Sequence, residues 1–307
     1  MKKLAHLQRT DGLGRDWQAQ DARSAAKGSL TLIYSQEVLR PAKKQEAVGR
    51  GRPRLYDEEQ VKAAVFVKLL TRFSYRATEA FLKTLSAMLG VSCPVADYST
   101  LSRRFSKLSL DLSAPAVIQD KVLLVDSTGF KLSGEGEWKV RQHGKTQRRS
   151  WKKVHVLVEY ETGQIVSMEV TAHTVHDGPV LSRLLPNHLP GCVIHGDGAY
   201  ASKQLHDTVD QKGAELVSRP AYNTRLWSAN PSKPFVNKRN QHVREIRAHG
   251  LRGWAKISGY GRRSLVEVTM HQLKSYFSHK ISSKSPNSVQ NELRAYGLLL
   301  NDLLNVA

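Results

Sequence analysis

Lys121-Val-Leu-Leu-Val-Asp126-Ser-Thr-Gly129 is a short apolar run that ends in an acid. A continuous Val/Leu stretch without polar alternation reads as a strand buried on both faces of a sheet. Cys192-Val-Ile-His-Gly-Asp197-Gly-Ala-Tyr200 repeats the pattern. An Asp where such a strand ends, followed by small residues, falls at the edge where open α/β sheets bind ligands. Val154-His-Val-Leu-Val-Glu-Tyr160, a turn at Glu161-Thr-Gly163 and Ile165-Val-Ser-Met-Glu-Val170 read as a hairpin beside the first strand. Asp177-Gly-Pro-Val-Leu181 starts a helix, with Asp177 as its N-cap. A helix near Ser202–Gly213 and a strand over Ala214–Ser218 follow. The order is three antiparallel strands, a helix, then parallel strands: an α/β chain built on a mixed five-stranded sheet with helices.

A third acid lies downstream, in Tyr260-Gly-Arg-Arg263-Ser-Leu-Val-Glu267-Val-Thr-Met-His-Gln-Leu-Lys274. Read as a helix turning about 100° per residue, this stretch puts Glu267 at about 40°, Lys274 at about 20° and Tyr260 at about 60° from Arg263. All four share one narrow face beside an apolar stripe of Val266, Met270, Leu273 and Phe277. Alone, this face fits a solvated helix with an Arg263–Glu267 pair. Two strand-end Asp residues change the reading. Three converging carboxylates repel one another, and divalent cations between them relieve the repulsion.

Composition narrows the partner. The chain carries 47 Lys+Arg against 27 Asp+Glu, a formal charge of +20. The excess is +8 over residues 1–120 and +12 over 121–307, so it is not confined to a tail. A polyanion partner follows. No apolar run is long enough to cross a membrane and no export signal is expected. Cys93 and Cys192 lack CxxC spacing, so no structural zinc site is expected and a reduced cytoplasm fits. Gly144-Lys-Thr146 is not a P-loop, because position 139 is Lys where that motif needs Gly.

The basic residues cluster. Residues 139–153 hold seven and no acid, including Arg148, Arg149, Lys152 and Lys153, with Trp138 and Trp151 at the ends. Phosphate contact and stacking on an unpaired base suit this pattern. Residues 219–263 hold eleven Lys/Arg and one acid. Pro231 and Pro234 mark a loop there, and His242–Arg247 a possible helix. Near the N-terminus, Gly49-Arg-Gly-Arg-Pro-Arg54 reads as a minor-groove hook or a basic linker touching phosphates. Gly28-Ser-Leu-Thr-Leu-Ile-Tyr34 is strand-like in an otherwise polar, irregular segment. Three helices follow, opened by Asp57, by Ser74, and by Asp97 or Ser99. The last carries Ser99, Thr100, Ser102, Arg103 and Arg104, which suits either a recognition helix or a solvated basic face.

Asp126, Asp197 and Glu267, with Tyr260, Arg263 and Lys274 at this spacing, resemble the DDE transposases of bacterial insertion sequences, most of all the insertion-sequence-five family. Val125-Asp-Ser-Thr-Gly-Phe130, Gly134-Glu-Gly-Glu-Trp-Lys139, Arg148-Arg-Ser-Trp-Lys-Lys-Val-His155 and Gly196-Asp-Gly-Ala-Tyr200 agree, from about Gly28 to the C-terminus. One departure is Ala201, where many relatives have Asp. The resemblance implies a ribonuclease-H-like catalytic core over 116–307, with a basic insertion at about 219–259. A polar arm (1–56) and a helical, helix-turn-helix-like DNA-binding domain (57–115) precede it. It implies Mg²⁺-dependent cleavage at the inverted repeats and transfer of the 3′-OH into target DNA. Two Mg²⁺ ions, or Mn²⁺ in their place, would be held by Asp126, Asp197 and Glu267. Tyr260, Arg263 and Lys274 would meet DNA near the cleaved bond, and Arg103, Arg104, Arg148, Arg149, Lys152 and Lys153 elsewhere. Two DNA ends imply at least a dimer, in a cytoplasmic, nucleoid-associated protein. A nuclease of the same fold and a catalytically idle repressor derived from a transposase are the alternatives.

Overall fold

The structure, a computed structural model, describes residues 17–41, 55–132, 151–221, 223–228 and 230–306. The chain divides into two compact units, Leu112–Lys274 and Met1–Asp111 with Ser275–Ala307.

The first unit is built on the sheet. Strands β1 (Val122–Leu132), β2 (Trp151–Glu159), β3 (Ile165–Ala172), β4 (Val193–Gly196) and β5 (Glu215–Ser218) lie in the order β3-β2-β1-β4-β5. The β1–β2 and β2–β3 pairs are antiparallel; β1–β4 and β4–β5 are parallel. This mixed, helix-flanked sheet is the expected ribonuclease-H-like α/β architecture. On one face Leu123, Val125, Leu157, Ile194 and Leu216 pack with Val180, Leu181 and Leu184, and with Leu205 and Val209. Those five come from helices α5 (Asp177–Leu184) and α6 (Lys203–Gln211). Each such buried aliphatic contributes about 1.5–3 kcal/mol, which is why the Val/Leu runs settle as interior strands.

Two local expectations change. The first strand does not end at Asp126 but continues to Leu132, because β2 supplies antiparallel partners from Leu123 through Lys131. Only its parallel neighbour β4 stops near the Asp. The N-cap of α5 is His176, with no side-chain cap bond, and Asp177 is the first helical residue. Its carboxylate instead takes the Lys153 ammonium at 3.0 Å. Ser202 does cap α6, its hydroxyl accepting from the Leu205 amide.

The basic stretch is more helical than its prolines suggest. Helix α7 (Pro234–Ile257) begins on Pro234, a first-turn position where the missing N–H costs nothing. It kinks at Gly250, whose φ of 68° an L side chain rarely adopts. A 3₁₀ turn over Tyr260–Arg263 then leads into α8 (Ser264–Tyr276). Val266, Met270, Leu273 and Phe277 are buried, as their spacing predicts.

The second unit is helical. Helix α1 (Trp17–Leu39) covers the segment expected to be irregular with a strand over 28–34. Ala26, Leu30, Ser35 and Val38 are buried along it, a helical repeat that outweighs the β-prone Leu-Thr-Leu-Ile run. Helix α2 (Glu58–Thr71) opens with a capping box between Asp57 and Gln60. Helix α3 (Tyr75–Met88) is capped by Ser74, and α4 (Tyr98–Phe105) by Asp97. Helix α9 (Pro286–Val306) lies in the same compact unit as these helices. The Asn291 amide donates to the carbonyls of Phe105 and Leu108 at 2.7 and 3.0 Å, and Tyr34 donates to Asp302 at 2.6 Å. Nine residues, 89–97, separate α3 from α4, against three or four in a helix-turn-helix.

Candidate active site

The site grows from strand register. The last parallel pair of β1 and β4 is Leu124 with His195, so two residues further Asp126 and Asp197 stand abreast. Alternation puts both on the face opposite the α5–α6 core. Gly196 makes this possible: a Cβ there would lie 2.8 Å from the Tyr200 ring and 3.0 Å from Val125. Asp197 caps the short turn that follows, accepting from the Ala199 amide at 2.8 Å.

The Tyr260–Arg263 turn closes onto this edge. The Tyr260 hydroxyl donates to the Gly196 carbonyl at 3.2 Å. One Arg263 nitrogen donates to Asp126 Oδ2 at 3.1 Å, and another to Glu267 Oε1 one helical turn on. The guanidinium thus stands between two of the three acids. Burial raises the Asp126 carboxyl above its ordinary value, and the charges of Asp197 and Glu267 add to this; the Ser127 amide and Arg263 oppose it. Burial works against the Arg263 charge, yet Tyr260, Asp126, Glu267 and Asp197 together raise its pKa. Asp126 therefore lies in the field of both other acids.

As placed, no three His, Cys, Asp or Glu side chains among the described residues form a ready metal cage. The donor chemistry nonetheless suits a hard divalent cation, because all three groups are carboxylates and Asp126 is charged only at a cost that nearby positive charge relieves. Arg263 supplies one positive charge at that position, and the acids outnumber it.

The remaining expected contacts separate. Phe130 lies on the Asp126 face and pairs with Lys152, and the Lys274 ammonium sits 5.6 Å from the Phe130 ring centre. Lys152 and Lys274 therefore share the carboxylate face. Lys153 points to the other side of the sheet, donating to Val175 and Asp177. In the helical unit Arg103 is exposed on α4 beside Ser99 and Thr100. Arg104 turns inward, its Nη1 donating to the Tyr56 carbonyl at 2.6 Å. Lys153 and Arg104, both expected to contact DNA, thus each hold a partner within the protein. Arg148 and Arg149 lie outside the described residues. Two groups escaped the sequence reading: the Lys153–His155–Asp177 cluster, and a Glu215–His242–Trp254 chain behind Tyr260. Their partners lie 12 to 27 residues apart, and no spacing motif marks them.

Two family models, both described as Transposase DDE domain, match residues 118–301 and 25–135. An uncharacterized protein of Aquifex aeolicus (strain VF5) is 28% identical over 261 residues, covering 80% of this chain and 74% of that protein. Among solved structures, a piggyBac transposase synaptic complex with hairpin DNA aligns at 10% identity and a TM-score of 0.36. That alignment covers 92% of this chain, and the chain spans 65% of its length. A Mos1 transposase paired-end complex with the left transposon end aligns at 10% identity and a TM-score of 0.24, over 74% and 80% of the two chains. No helix among the described residues is long and apolar enough to cross a membrane. With a family model matching more than half of its residues, this protein belongs to the DDE transposase domain family.

Proposed function

We propose that the chain is an Mg²⁺-dependent transposase of an insertion sequence, with Asp126, Asp197 and Glu267 as its catalytic carboxylates. It binds the terminal inverted repeats, cleaves at the element's ends and joins the 3′-OH ends to target DNA. One observation carries this reading: Asp126 and Asp197 stand abreast where β4 ends, with Arg263 tying Glu267 to the same edge. Asp126, Asp197 and Glu267 would hold two divalent cations, which would supply charge stabilisation at the phosphoryl group and a nucleophile at neutral pH. Mn²⁺ is the expected substitute for Mg²⁺.

The protein's share is placement. Asp126 is fixed by the strand and by the Ser127 amide, Asp197 by the Ala199 amide, and Glu267 by α8. Arg263 lies close enough to hold a scissile phosphate beside the acids, and Lys152 and Lys274 extend positive charge along the same face. Phosphoryl transfer asks for little proton transfer from side chains, so an acid array with flanking cations is sufficient. Because one site must act on each of two ends, the working form is at least a dimer.

The test is direct. Purified protein is mixed with a duplex carrying an element end, with Mg²⁺ or Mn²⁺, and nicks at the end are read on a gel. A pre-cleaved end with target DNA then reads joining. Cutting and joining are expected. Binding without cutting identifies a repressor, and cutting without joining a nuclease.

A further inference from the structure

Behind the carboxylates lies a chain of polar and aromatic side chains with no part in the reaction as described. Trp254, on α7, is 1% exposed. Its indole N–H donates to His242 Nδ1 at 3.1 Å. That bond leaves the proton of neutral His242 on Nε2, which faces Glu215 Oε1 at 3.2 Å. The second Glu215 oxygen takes Lys238 at 3.1 Å. The His242 bond, with Lys238, holds the Glu215 carboxyl down at about 2 against its burial. The indole is thereby anchored to β5, the neighbour of β4.

The face of that indole meets Tyr260, ring centres 4.8 Å apart and tilted by 36°. On the Tyr260 ring's other contact, buried His195 stands edge-on at 6.3 Å. Tyr260 is thus clamped by its ring, and its hydroxyl points at the Gly196 carbonyl rather than outward. Gly196 precedes Asp197, and Tyr260 opens the turn that ends on Arg263. One ring therefore ties the strand end bearing Asp197 to the segment bearing Arg263 and Glu267.

We propose that Tyr260 is a positioning residue that sets Asp197 against Glu267, and that Trp254, through His242 and Glu215, holds it in place. This rests on the transposase reading, in which those acids hold divalent cations.

The experiment uses the full chain with Tyr260→Phe, Trp254→Phe, Trp254→Leu and the Tyr260→Phe/Trp254→Leu double variant. Two quantities are read: Mn²⁺ affinity by calorimetry without DNA, and single-turnover cleavage at saturating DNA end. Tyr260→Phe is expected to lower both by roughly three- to tenfold, the scale of one lost hydrogen bond, with end affinity unchanged. Trp254→Leu should match it, and Trp254→Phe, which keeps a ring against Tyr260, should lose less. The double variant should be no worse than its worse parent, because both act through one ring. Additive losses overturn the proposal. So does a Tyr260→Phe chain that loses end affinity but keeps wild-type Mn²⁺ affinity and saturated rate, since Tyr260 would then be a DNA contact. If Trp254→Leu does not fold, Tyr260→Phe and Trp254→Phe still decide by the same readings. A wild-type chain that binds Mn²⁺ but neither cuts nor joins defeats the transposase reading alone, and the Mn²⁺ titrations still test the positioning role. A wild-type chain that takes up no Mn²⁺ overturns both.

Discussion

Arg104 and Arg263, one from each unit, are used in opposite ways. In the helical unit Arg104 reaches the Tyr56 carbonyl, and Arg72 and Lys27 both reach the Tyr276 carbonyl at the end of α8. In the sheet unit Arg263 bridges Asp126 and Glu267, Lys153 meets Asp177 and Lys238 meets Glu215. Carbonyls at chain ends and turns accept a cation without surplus charge. A cation so used is a fastener. A cation among three acids leaves negative charge to spare, and there a metal or a rearrangement toward phosphate becomes favourable. A formal charge of +20 therefore does not mark which lysines and arginines meet DNA; what each already holds does.

The sharpest break of this comparison is removal of the acids. Asp126→Asn, Asp197→Asn and Glu267→Gln should each lower Mg²⁺-dependent cleavage by roughly 10²–10³-fold or more, with end binding nearly intact. An amide keeps the shape and loses the charge that holds a cation. Near-normal cleavage by any one of these purified variants, measured in a gel assay, removes that residue from the site.

Arg103 and Arg104 are neighbours in sequence and should separate cleanly. Arg104→Ala should destabilise the chain by about 1.5–3 kcal/mol, the worth of a charge-assisted bond to a carbonyl, read as a lower denaturant midpoint. Arg103→Ala should leave that midpoint in place. If α4 reads bases, it should also erode preference for the terminal repeat over random DNA by about 1–3 kcal/mol. The full chain is required, because Asn291 on α9 ties the end of α4 in place. A stability loss for Arg103→Ala and none for Arg104→Ala would invert the assignment.

The sheet and its acids were legible because each rests on local pattern. Val-rich runs, the Asp that follows them and the Arg263–Glu267 spacing are short-range signals. Where the outcome was set by distant partners, the sequence misled. Segment 28–34 looks strand-like until its buried residues are counted at helical spacing. Asp177 looks like a cap until Lys153 is found 3.0 Å away. The end of the first strand looked fixed by Asp126, but an antiparallel neighbour carries it six residues further. Arg104 and Arg103 are indistinguishable in sequence; the step of about 100° between them on α4 decides which faces inward.

Acid should act on the sheet unit. His155, His195 and His206 are buried there, each pushed down to about 4 chiefly by that burial. Among the described residues the helical unit has no buried histidine. The folded chain keeps these rings neutral while the unfolded chain protonates them near their ordinary 6.5. Stability should therefore fall as pH drops below about 6.5 and stop falling from this cause near pH 4. Neither ring nitrogen of His195 has a hydrogen-bond partner among the described residues. His195→Leu should thus fold, and should flatten the slope of the unfolding midpoint between pH 6.5 and 5 by about a third. An unchanged slope would place the acid sensitivity outside His195.

The smallest expected effect concerns Lys274. It lies two turns along α8 from Glu267, a rise of about 10 Å, too far for an ion pair with that carboxylate. Its ammonium sits 5.6 Å from the Phe130 ring centre, and burial lowers its pKa. A cation over a phenyl face gains about 0.5–1 kcal/mol, so Lys274→Ala should cost that much stability whatever its role with DNA. The informative quantity is the salt dependence of binding to a pre-cleaved end. One lost phosphate contact lowers the slope of log K against log salt by about 0.9. Lys152, paired with Phe130 across β1 and β2, stands on the same face, so Lys152→Ala should lower the slope similarly and the double variant by about twice as much. Arg104→Ala and a Lys153→Ala change should leave the slope unaltered, since the protein already holds both side chains. If Lys274→Ala loses stability yet keeps the wild-type slope and joining rate, Lys274 is a cover for Phe130. It would then belong with the fasteners of the helical unit.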